Sequence, residues 1–148
     1  MAVAAGTLVI SAGAHAQSPF GGPLFAVLNG GNECNGAVVC RQGDLNGIGS
    51  ATITFPTATM VCWGINVDSL AGANAAHIHS GFSGLNGGIV VNLTPPNAPA
   101  AGNPGASSGC VGEIAAGIVA AIRNDPTRFY VNVHNVAFPN GAVRGQLH

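Results

Sequence analysis

The chain has 148 residues and a mass of 14.5 kDa, room for a single core, so a multidomain organisation is excluded. Charged residues make up only 6 %, lysine is absent and the formal net charge is −1, which leaves no basic footprint for nucleic acid or an anionic membrane. Apolar residues fall in short alternating runs, and none reaches the ~20 residues that a spanning helix needs.

Residues 2–14 form a charge-free, apolar-rich run that ends in Ala14-His15-Ala16 before Gln17, the small-x-small pattern of a signal-peptidase site. This predicts an exported protein with a leader over residues 1–16 and a mature domain over residues 17–148. A positively charged leading region is missing, so either the start lies upstream or the signal is atypical. An N-terminal core helix is disfavoured by Gly6, Gly13 and the Ser-Pro-Gly stretch that follows.

Residues 24–28 alternate and run into Asn29-Gly30-Gly31-Asn32, a strand followed by a loop. Cys34 and Cys40 bracket a short loop containing Asn-Gly and are expected to close it, leaving Cys62 to pair with Cys110. Four cysteines in an oxidising compartment fit two disulfides; a zinc site built from all four lacks a C-x-x-C pair. Residues 43–49 are turn-rich but supply only Asp44 as a carboxylate, too little for a calcium loop. In the next strand Ala51, Ile53 and Phe55 face in, and in the one after it Val61, Trp63, Ile65 and Val67 do.

A glycine-spaced loop over residues 80–88 precedes a strand over residues 89–93. Residues 94–109, rich in Pro, Ala, Gly, Asn and Ser, read as an extended surface loop tied down by Cys110. Between residues 113 and 124 the period changes: Ile114, Ile118 and Ile122 fall at i, i+4 and i+8, and Asn124-Asp125-Pro126 stops the run, which predicts one short helix. Two closing strands flank Phe138-Pro139-Asn140-Gly141, a hairpin turn by composition. The expected fold is all-β, an antiparallel Greek-key-like sandwich or barrel with one helix near residues 113–124, stapled by disulfides.

Strand alternation also assembles a polar cluster. His77 and His79 share a face while Ile78 points the other way. In the strand through residues 128–134, Tyr130, Asn132 and His134 lie opposite Val131 and Val133; in the last strand Arg144, Gln146 and His148 lie opposite Val143 and Leu147. The valines and leucine are expected inward and the polar residues outward. Imidazoles at i and i+2, with Cα atoms about 6.5–7 Å apart, can converge on one ion, and a third from a neighbouring strand completes a three-nitrogen set. Such donors suit copper, or zinc as the second choice. The purely structural alternative bonds the three rings to Tyr130, Asn132, Gln146 or backbone carbonyls. For Arg144 the two roles are a clamp across strands and a guide for an anion. No serine sits beside a base in a triad-like pattern, and the five acids are scattered, so hydrolase chemistry finds no support.

The stretches Ala75-Ala76-His77-Ile78-His79-Ser80-Gly81, Gly84-Leu85-Asn86-Gly87-Gly88 through Leu93, Asn124-Asp125-Pro126 through His134, and the ending from Phe138 to Leu147 closely resemble the CHRD domain, the family named after chordin. The resemblance covers essentially the whole mature chain. It implies an extracellular or cell-surface β-domain, secreted, periplasmic or surface-bound, whose partner is an unidentified extracellular protein or matrix component. A weaker fold-level likeness to copper-zinc superoxide dismutases rests on a His-x-His strand, a later histidine and an arginine near the end. It departs from them in having no bridging histidine and no zinc ligand set. Two readings follow: an exported interaction module, and a copper-binding protein in which His77, His79 and His134 hold the ion and Arg144 attracts an anion.

Overall fold

A computed structural model describes residues 21–35, 39–97 and 104–148. The predicted leader over residues 1–16 lies outside these residues. Among the described residues ten strands occur in chain order: β1 (Leu24–Asn29), β2 (Cys34–Asn35), β3 (Val39–Cys40), β4 (Ile48–Thr57), β5 (Met60–Asp68), β6 (Ala73–Ser80), β7 (Ile89–Leu93), β8 (Gly105–Val111), β9 (Phe129–Asn135) and β10 (Val143–Gln146). Helix α1 (Ala116–Asn124) lies between β8 and β9.

Eight strands form one antiparallel sheet in the order β7-β6-β9-β10-β1-β4-β5-β8, and β2 pairs with β3 in a small ribbon of its own. The chain crosses from one half of the sheet to the other between β5 and β6, between β7 and β8 and again between β8 and β9, the non-sequential order of a Greek-key pattern. Beyond β7, the Asn97 N–H donates to Ala106 O at 3.0 Å and Ser107 Oγ donates to Thr94 O at 2.8 Å, so the segment leaving one edge is tied to β8 at the other. The sheet is thereby nearly closed into a barrel.

The alternation read from the sequence fills the interior. Ile53, Val61, Ile65 and Val67 from the β4–β5 hairpin meet Ile78, Val131, Val133 and Val143 from the other half, all fully or almost fully buried. From α1, Val119 and Ile122 are buried and Ile118 is partly buried, and Ile114, just before the helix, is partly buried against the same core. The helix starts at Ala116 rather than at residue 113, because Glu113 takes a left-handed conformation (φ 61°) that right-handed helical backbone cannot pass through.

The stretch expected as loop over residues 94–109 is corrected in its second half. Gly105–Val111 is a full strand, paired residue by residue with β5 from Val61↔Val111 to Val67↔Gly105. Cys62 and Cys110 are partners in that register and are joined by one disulfide; Cys34 and Cys40 pair across the β2–β3 ribbon and form the other.

The polar side chains expected to face solvent on β9 and β10 are also corrected: every residue of β9 is buried, and so is Arg144. They do lie on the face opposite the core. A second layer made of residues 30–35, 39–47, 81–88 and 136–141 covers that face.

Candidate functional site

The rows across β6, β9 and β10 set the geometry. His77 lies opposite Asn132, which lies opposite Arg144; His79 lies opposite Tyr130, which lies opposite Gln146. Directly opposed residues share a face. His134, two residues beyond Asn132, joins them, and its neighbour on β6 is the small Ala75, which leaves room for the imidazole to reach His77. The ligand-capable nitrogens of His77, His79 and His134 all lie within 4.8 Å of one another, as the i, i+2 pattern anticipated.

Backbone carbonyls orient two of the rings. His79 Nδ1 is 3.0 Å from Gly87 O and His134 Nδ1 is 3.1 Å from Pro139 O. A carbonyl only accepts, so both Nδ1 atoms carry the proton and both Nε2 atoms keep a lone pair. His134 Nε2 stands 3.1 Å from His77 Nδ1, which donates to it. His79 Nε2 is buried and has no partner at all. His79 also stacks on Tyr130, with ring centroids 4.9 Å apart and planes 8° apart.

Burial pushes all three imidazoles below the ordinary histidine range, His77 to about 4, helped there by the neighbouring His134 and His79. At His79 and His134 the bonds to Gly87 and Pro139 act in the opposite direction without overcoming burial. The cluster is neutral at pH 7, the state in which imidazole binds a metal.

Arg144 serves as the clamp of the two roles open to it. Its guanidinium donates to Asn86 Oδ1 at 3.1 Å and to Phe82 O and Leu85 O at 2.9 Å, and it lies 3.3 Å over the Tyr130 ring. Gln146 acts likewise at the end of the second row, donating to Gly81 O and Thr127 O. Tyr130 accepts from the Gly87 N–H. Asn132 lies beneath the cluster, with its Oδ1 buried and unpartnered.

Glu33 is the functional group the alternation pattern missed. Only 3 % exposed, it enters from the covering layer, one residue before Cys34, and its Oε1 has no hydrogen-bond partner. Burial raises its pKa to about 7 against the opposing pull of Arg144. Gly141 makes room for it: at φ +139° a Cβ there would lie 2.5 Å from the Glu33 carboxyl. The available signal was compositional, an acid beside a cysteine in a chain with only five acids. Glu33, His79, Asn132 and His134 line a common cavity of about 530 Å³, with Gln42 and Asn140 at its exposed rim.

The CHRD domain family model matches residues 24–147. The chain belongs to the CHRD domain family. No curated protein and no solved structure matches it. The CHRD match runs from the first residue of β1 past the end of β10 and contains the whole histidine cluster, its covering loops and both disulfides. No helix among the described residues of this CHRD domain is long and apolar enough to cross a membrane.

Proposed function

We propose that this CHRD domain is an exported binding module that holds one transition-metal ion, copper before zinc, through His77, His79 and His134. The observation that carries the proposal is the convergence of three neutral imidazoles within 4.8 Å, two of them fixed in tautomer by backbone carbonyls. Metal-binding histidines are commonly held in this way, with the second ring N–H donated to a carbonyl. The nitrogens need only close in to ~2 Å from a shared centre, and a three-nitrogen set would leave a further position open to another ligand. Imidazole donors and the Irving-Williams order favour copper. Two disulfides support an oxidising compartment. Arg144 is bonded into the covering loop, so the reading stops at binding and does not extend to superoxide chemistry.

The test is metal analysis of protein produced in an oxidising compartment, followed by calorimetric titration with Cu(II) and Zn(II). Wild type is expected to take up about one equivalent of copper, with affinity falling on the order of 100-fold or more in His79→Ala and in His134→Ala. Equal uptake by wild type and both variants would remove the metal reading. The domain's role would then rest on its surface, where Phe25 and Val27 of β1 and Ile48 of β4 are exposed apolar side chains suited to an extracellular protein or matrix component.

A further inference from the structure

The cavity beside the histidines gathers several buried acceptors in its lining. Three of the residues that line it carry a buried side-chain atom with no hydrogen-bond partner: Glu33 Oε1, His79 Nε2 and Asn132 Oδ1. His79 Nε2 is an acceptor because the ring proton is on Nδ1, facing Gly87 O. Two donors at the same wall are already engaged: Asn86 Nδ2 bonds Cys34 O, and the Gly141 N–H bonds Phe138 O. Each buried acceptor left unpaired costs about 1–3 kcal/mol, and native proteins keep few of them. Three around one space of about 530 Å³, the size of a small-molecule pocket, mark a place where a ligand supplies the missing donors.

We propose that this cavity binds a small ligand through a primary ammonium group, held by Glu33, Asn132 and His79. An ammonium carries three N–H donors and no acceptor, the complement of these three acceptors. Its charge meets the carboxylate of Glu33, for which burial otherwise favours the protonated form. Arg144 does not line the cavity. An anion entering there would meet the Glu33 carboxyl and no cationic side chain on the buried wall. The rest of the ligand extends toward the exposed Gln42 and Asn140. The proposal shares His79 Nε2 with the metal reading, so ammonium and metal compete for that atom and the proposal concerns the metal-free protein.

The full chain, stripped with a chelator and labelled with nitrogen-15, is titrated by NMR with methylammonium, acetate and ethylene glycol. Methylammonium is expected to give saturable shifts at the Gly87 and Gly141 amides and at the Asn132 side-chain amide, with acetate and ethylene glycol about tenfold weaker or worse. Glu33→Gln is expected to weaken methylammonium by about tenfold while its dispersed spectrum reports a folded chain, and Asn132→Ala by about threefold. Acetate or ethylene glycol binding as tightly as methylammonium, methylammonium shifts that never saturate, or full affinity in folded Glu33→Gln would each overturn the assignment.

Discussion

Arg144 illustrates how much one side chain does under the covering layer. Its three hydrogen bonds end on Asn86, Phe82 and Leu85, all in the segment between β6 and β7, while its guanidinium plane rests on Tyr130, which also stacks on His79. A lysine has the charge but neither the planar fork nor the stacking face. Arg144→Lys is expected to lower unfolding free energy by about 2–4 kcal/mol, since buried acceptors lose their partners and a buried charge loses its bonds. Urea unfolding midpoints measure this, and a change below about 0.5 kcal/mol would mean that the clamp contributes nothing. The residues on strands were legible in advance because alternation assigns a face to every position: His77, His79, His134, Tyr130, Asn132 and Arg144 all lie where period two put them. Glu33, Asn86 and Gly141 were not, because they come from irregular segments far apart in sequence that meet only in the folded chain.

Among the elements, β5 and β8 show why one strand is readable and its partner is not. β5 places Val61, Trp63, Ile65 and Val67 in regular alternation, whereas β8 reads Gly-Ala-Ser-Ser-Gly-Cys-Val, with no large apolar residue before its end. The small side chains are required by the partner. Gly109 lies opposite Trp63, and a Cβ there would stand 2.8 Å from the indole Cζ2. The pairing makes β8 a strand, and pairing is not written in a local period. The Cys62–Cys110 bridge spans 48 positions and joins residues already in register, so its effect falls on the unfolded chain. Chain-entropy estimates for that span give about 4 kcal/mol. Neither cysteine is buried, so replacing both with alanine leaves no core cavity. Cys62→Ala/Cys110→Ala is expected to lose about 3–4 kcal/mol in denaturant unfolding while keeping the His77–His134 contact, which lies in the other half of the sheet. Stability within about 1 kcal/mol of wild type, or collapse of the histidine NMR signals under native conditions, would contradict this.

At the scale of the whole molecule the two halves of the sheet are solvated differently. On β4 and β5 buried positions alternate with more open ones; on β9 there is no open position, because the covering layer buries the polar face as completely as the core buries the other. The fold class and the position of the cluster could be read from alternation. The covering layer could not, since a polar residue under a loop and a polar residue in water have the same sequence signature.

That second layer makes stability depend on pH in two opposed ways. The three imidazoles have folded pKa values below the ordinary 6.5, His77 near 4, chiefly through burial. As pH falls below 6.5 the unfolded chain takes up protons that the folded cluster refuses, so their stabilisation, complete above 6.5, is lost toward pH 4. Glu33 runs the other way. Its folded pKa of about 7 exceeds the ordinary 4.5, so its relative stabilisation is complete below 4.5 and is lost as pH rises through 7. Three groups outweigh one, and the metal-free protein is expected to melt at lower temperature as pH drops from 6.5 to 4.5. Glu33→Gln removes the opposing slope. Relative to wild type, the variant should gain stability steadily between pH 5 and pH 8, by up to about 3 kcal/mol across the interval. Thermal unfolding of both proteins with chelator present, so that no bound ion adds its own proton competition, measures the difference directly. A wild-type to variant gap that stays constant from pH 5 to pH 8 would mean that Glu33 titrates as an exposed acid and that the covering layer does not enclose it.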